Sequence, residues 1–178
     1  AIDDRSQISE EVLFQIKKLG FSTENVIKEE DHYIVEGDIV LHEQDLARVP
    51  NSPQLRIAEE EQYRTFNLVT GGQRVITVSS SGRINNNVSN AIDDAIDRYN
   101  AENLELTFQR VANGGDINIR IVNGGGYIAS AGFPSGGDPY PEVKFNRQYQ
   151  NYSNGFLTTV IAHEIGHCIG FRHTDYMN

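Results

Sequence analysis

The sequence predicts an α+β fold in which a strand, a helix, several strands and a last helix follow one another, preceded by a smaller segment of helix and strand. Three observations carry this. Apolar residues recur at helical spacing in residues 8–19 and 88–99; residues 74–78, 104–111 and 117–122 are rich in β-branched residues or alternate; and residues 156–167 run from an apolar stretch into a helix bearing two histidines. At 178 residues the chain suits one ordinary domain, or a smaller domain plus an extra segment.

The first helix is read from ISEEVLFQIKKL, residues 8–19, where Ile8, Val12, Ile16 and Leu19 share a stripe, Ser9 is the N-cap and Gly20 the stop. HYIVEGDIVL, residues 32–41, reads as a strand interrupted at Gly37. From Glu43 to Glu61, Pro50, Asn51, Ser52 and Pro53 break regular structure and Glu59, Glu60 and Glu61 add charge, so this stretch is expected to be a linker. It divides the chain into residues 1–60 and a domain of residues 61–178. In that domain Arg74–Val78 is a strand closed by serines and Gly82. Val88, Ala91, Ile92, Ala95, Ile96 and Tyr99 then line a helix whose wet face carries Asp93, Asp94, Asp97 and Arg98. Leu104–Val111 and Ile117–Val122 are strands joined by the turn Asn113–Asp116 and are expected to be sheet neighbours. Tyr127–Phe133 and Glu142–Asn146 are further extended pieces.

The composition excludes several classes of function. Fifteen Lys and Arg against 25 Asp and Glu give a formal charge of -10, which repels a polyphosphate backbone. Nucleic acid is therefore not an expected partner. No apolar run approaches the roughly 20 residues that cross a bilayer. Cys168 is the single cysteine, so no disulfide forms within the chain, and it is expected to be a small buried core residue. The Ala1-Ile2-Asp3-Asp4 start has no basic and apolar leader, which fits an export signal already removed or never present.

The chemistry concentrates in HEIGHCIGFRH, residues 163–173. Four residues along a helix are one turn plus about 40°, so His163 and His167 share a face and can share one zinc ion. Glu164 lies about 100° round from His163, where its carboxylate reaches a water on the metal and acts as general base. Gly170 can adopt the left-handed conformation that ends a helix, and the turn would return His173 to the same ion. Three neutral imidazoles leave a position open for water, as in catalytic rather than structural sites.

These residues fit the metzincin pattern HExxHxxGxxH, and the run from His163 to Asp175 resembles more closely the bacterial HEIGH metallopeptidases, HEIGHxxGFRHTD. The resemblance implies Zn2+ held by His163, His167 and His173, Glu164 as base, and hydrolysis of protein or peptide substrates by an enzyme that is secreted or at the bacterial cell surface or periplasm. It also implies a metzincin N-terminal half: a mixed twisted sheet, a backing helix, an active-site helix and an antiparallel edge strand. That strand, Gly126, Tyr127, Ile128, Ala129, Ser130 and Ala131, would pair with an extended substrate.

Val35-Glu36-Gly37-Asp38-Ile39 is similar to the FxGD segment of astacin-type prosegments, with Val35 where an aromatic is expected. The similarity implies that residues 1–60 are a prosegment acting as the chain's own inhibitor, Asp38 taking the water's place on zinc. A plain Gly-Asp turn is the simpler alternative for Asp38, and His32 and His42 are alternative latency ligands. Met177 lies only four residues past His173, too near to form the family's methionine turn. The chain is accordingly expected to be a fragment, with a separate C-terminal part of the same precursor as a partner. Two rival functions stand beside the peptidase: a non-catalytic zinc-binding module, and a zinc hydrolase of a non-peptide substrate.

Overall fold

The structure, a computed structural model, describes residues 8–47 and 68–173. These residues fall into two compact units, one comprising residues 8–47 with His173 and the other residues 68–172. The expectations placed on Ala1–Asp4, Pro50–Pro53, Glu59–Glu61, Thr174, Asp175 and Met177 lie outside the described residues.

The smaller unit opens with α1, Glu10–Lys18, started by the Ser9 hydroxyl, which accepts from the Val12 amide at 3.3 Å. Glu10 and Glu11 in its first turn and Lys17 and Lys18 in its last oppose the helix dipole. Ile16 points the apolar stripe inward and is fully buried. Gly20, at φ +83°, turns the chain away. Three short antiparallel strands follow: β1 (Ile27–Glu29), β2 (His32–Val35) and β3 (Ile39–His42).

The expected single interrupted strand over residues 32–41 is therefore two strands of a hairpin. Glu36 and Gly37 both take positive φ, +52° and +89°, and the Asp38 amide returns to the Val35 carbonyl at 3.3 Å. Successive left-handed residues carry a twist that matches antiparallel strands, so the chain reverses instead of bending. A second correction concerns the linker, whose first residues form α2, Glu43–Leu46. Asp45 holds the start of this turn by accepting from the His42 amide at 2.9 Å.

The larger unit is a five-stranded sheet with two helices. Its strands are β4 (Arg74–Ser81), β5 (Leu106–Arg110), β6 (Ile117–Val122), β7 (Ala129–Ala131) and β8 (Glu142–Asn146). They lie in the order β7-β8-β6-β4-β5, parallel except for β7, which runs antiparallel to β8. β5 and β6 are thus not neighbours as expected, because β4 lies between them. The connecting residues cross β4 near Thr77–Ser79. Asp116 accepts from the Thr77 amide and hydroxyl, each at 2.9 Å, and the Gly115 amide donates to the Ser79 hydroxyl at 3.0 Å. Gly115 is required by this close approach: a Cβ there would stand 2.6 Å from the Ser79 nitrogen.

The helices are α3, Asn86–Ala101, and α4, Asn154–Ile169, each started by a side-chain cap, Asn85 and Ser153. Val88, Ala91, Ile92, Ala95 and Ile96 of α3 and Leu157, Ile161 and Ile165 of α4 join Phe108, Ile119 and Phe145 of the sheet in one core. Tyr99 ties the helices together by donating to the Ala162 carbonyl at 2.6 Å. Cys168 is fully buried in that core, as expected. No helix among the described residues is long and apolar enough to cross a membrane.

Candidate metal centre

α4 places the two sequence-predicted imidazoles as one turn of helix requires. His163 and His167 set their rings 4.5 Å apart between centroids, and their Nε2 atoms are 3.0 Å apart. The turn after α4 fixes the tautomer of His167. Gly170 adopts φ +118°, the left-handed cap, and the Phe171 amide returns to the Gly166 carbonyl at 2.9 Å. This aims the Phe171 carbonyl at His167 Nδ1, 2.7 Å away, so Nδ1 carries the proton and Nε2 presents its lone pair toward His163. Phe133 contacts the same ring at 5.8 Å, edge to face. His167 is 1% exposed, and its orientation is fixed from both sides.

A zinc ion fits this pair. Zinc binds imidazole nitrogen at about 2.0–2.1 Å, and a tetrahedral angle between two such bonds separates the nitrogens by about 3.3 Å. The observed separation of 3.0 Å needs only a small spreading. Glu164, next to His163 on α4, is 2% exposed.

In the smaller unit, His173 lies between two carboxylates. Its Nδ1 is 3.1 Å from Glu36 Oε2 and its Nε2 3.1 Å from Asp38 Oδ2. The strained turn explains the pairing: Glu36 and Gly37 in left-handed conformation bring residues 36 and 38 to one side, and Glu36 is anchored by the Ser22 amide at 3.0 Å. Burial opposes charge on His173, but hydrogen bonds from the ring to Asp38 and Glu36, and their negative charge, outweigh it and hold its pKa up to about 9. Sequence reading singled out Asp38 and not Glu36, whose only signal was its place beside Gly37.

This raised pKa makes the metal-free protein pH-sensitive. A folded pKa above the ordinary histidine value adds stability that is complete below about pH 6.5 and disappears as pH rises through about 9. In EDTA, the melting temperature is expected to fall across that window in the parent and to stay flatter in His173→Gln.

The remaining residues singled out in the sequence lie as follows. Of Gly126–Ala131, only Ala129–Ala131 form a strand, the outermost of the larger unit's sheet. The Ile128 carbonyl still accepts from the Asn146 amide at 2.8 Å, while the Tyr127 carbonyl is taken by the Asn146 side chain at 3.2 Å. His32 and His42, the alternative latency ligands, face each other across β2 and β3, whereas the His173 ring faces Asp38.

The family model described as dual-action HEIGH metallo-peptidase matches residues 33–178, most of the chain. The chain therefore belongs to that family, as the run from His163 led one to expect. Among solved structures, one of myroilysin is similar over 58% of this chain and 50% of that one, with 18% identity and a TM-score of 0.46. A second structure of myroilysin is similar over 63% and 49%, with 19% identity and a TM-score of 0.48. High choriolytic enzyme 1, a hatching enzyme zinc-protease from Oryzias latipes (medaka fish), is similar over 60% and 48%, with 19% identity and a TM-score of 0.40. The chain thus spans about half the length of these solved proteins. No curated protein matches it.

Proposed function

We propose that this chain is the zinc-binding part of an endopeptidase held latent by its own residues 1–60. The observation that carries the reading is the convergence of His163 and His167 Nε2 on one point of α4, with Glu164 buried beside them in a chain of metallopeptidase family. His163 and His167 would hold the metal, with His173 as third ligand by the HExxHxxGxxH spacing. When bound there, zinc supplies Lewis acidity to a scissile carbonyl and lowers the pKa of water.

The protein's own groups do the remainder. The Phe171 carbonyl keeps the His167 proton on Nδ1, so Nε2 stays available as a ligand. Glu164 accepts the proton of the attacking water and delivers it to the departing amine. By the family resemblance, strand β7, Ala129–Ala131, with Gly126–Ile128 before it, would grip an extended peptide through backbone hydrogen bonds. By family resemblance the enzyme acts outside the cytoplasm, secreted or at the bacterial surface or periplasm, and a separate C-terminal part of the precursor completes its specificity pocket.

Latency is assigned to Asp38. A carboxylate oxygen is a competent zinc ligand, and Asp38 already lies 3.1 Å from the ligating nitrogen of His173, with Glu36 holding the opposite nitrogen. Asp38→Ala is expected to raise casein cleavage by the intact chain at least about tenfold, toward that of protein lacking residues 1–60. Unchanged latency with an unchanged zinc shell would remove Asp38 from this role. Zinc bound without any cleavage, even after residues 1–60 are removed, would leave a binding module.

A further inference from the structure

We propose that Asp31, His32 and His42 form a second zinc site in the smaller unit, distinct in its ligands from the HEIGH histidines. The hairpin sets His32 directly opposite His42, with ring centroids 5.5 Å apart, and Asp31 immediately precedes β2. Each of the three brings a ligating atom within 4.8 Å of the other two. His42 is positioned by its place at the start of α2, where its amide donates to Asp45.

The surroundings of His32 suit a metal ligand. Its Nδ1 is 3.0 Å from Asp31 Oδ1 and its Nε2 is 3.1 Å from Glu29 Oε2. His32 is 7% exposed, so its ring is held in place by these contacts. A metal ion on the Nδ1 side joins the three converging ligand atoms. It binds His32, Asp31 and His42 together, while Nε2–H donates to Glu29, the outer carboxylate that ligating histidines recruit. The N···O separation of 3.0 Å is also near that of two ligands on one zinc ion.

Two imidazoles and one carboxylate select a borderline ion such as zinc over calcium or magnesium, whose sites are built of oxygen. Asp31 is exposed, leaving the last coordination position to water. Occupancy would staple the β1–β2 turn to the junction of β3 and α2, stabilising the unit that carries Asp38. The site rests on none of the catalytic reading.

The test uses the full chain in a Glu164→Gln background, which keeps it intact. Protein stripped with EDTA is reloaded with zinc, freed of excess by gel filtration, and its zinc per chain measured by mass spectrometry. Two zinc ions are expected in this parent, one in Asp31→Asn, one in His42→Gln and one in His167→Ala, and Glu29→Gln is expected to weaken the second ion by about 10–100-fold. Asp31 is on the surface, so Asp31→Asn tests the site even if His42→Gln fails to fold. A single zinc in the parent that Asp31→Asn and His42→Gln leave in place would overturn the proposal, as would two ions retained in both variants. Loss of one ion in His167→Ala reports separately on the HEIGH pair.

Discussion

Glu164→Gln is expected to lower kcat/KM for peptide cleavage by about 10²–10⁴-fold, the range that a positioned acid–base group contributes, while zinc content stays at the parent value. Glutamine preserves the length and shape of the buried side chain and its hydrogen-bonding oxygen, but it cannot take a proton from water. The fall should therefore lie in kcat, with KM nearly unchanged. Both chains are compared after removal of residues 1–60, so that latency does not mask the difference. A Glu164→Gln enzyme within about threefold of the parent would show that the proton goes elsewhere and that Glu164 is a structural carboxylate.

The second large effect is expected at the histidines, and their different burial separates ligation from folding. His163 is exposed and His167 is buried at 1%. Both His163→Ala and His167→Ala should lose zinc by more than the ~10–100-fold that removing an outer hydrogen-bond partner costs. Only His167→Ala should also lose stability in the metal-free state, by about 3 kcal/mol, because it leaves a ring-sized cavity beside Phe133 and strands the Phe171 carbonyl. Chemical denaturation in EDTA measures the stability difference, and equilibrium competition with a zinc indicator measures the affinities. Equal zinc affinity in the parent and His163→Ala would contradict a shared ion.

Much of this site was legible in sequence because it lies on one continuous helix. The apolar run into α4, the four-residue spacing of His163 and His167, and the left-handed stop at Gly170 are local properties, and local periodicity is what a sequence displays most directly. The same holds for α3, whose buried and exposed residues divide as the sequence predicts.

What was not legible depends on how the chain crosses itself. Asn113–Asp116 announces a turn, but nothing in it says that the turn passes over β4 and separates β5 from β6; the signal was Gly115, whose missing Cβ the crossing requires. β1 and α2 have three and four residues, too few to show a period. Tyr127 reads as a strand residue, yet the Asn146 side chain, distant in sequence, takes its carbonyl. His32 and His42 read only as alternative latency ligands until the two left-handed residues, Glu36 and Gly37, fix the register that sets them opposite each other. Glu36 shows the same dependence, since its partner His173 lies 137 positions away.

The assignment of His163 and His167 as ligands of one ion is tested most directly by anomalous diffraction at the zinc edge from crystals of the zinc-loaded protein. An anomalous peak about 2.1 Å from Nε2 of both His163 and His167 is the expected result. A peak on one of these nitrogens alone, or none within bonding distance of either, would contradict it.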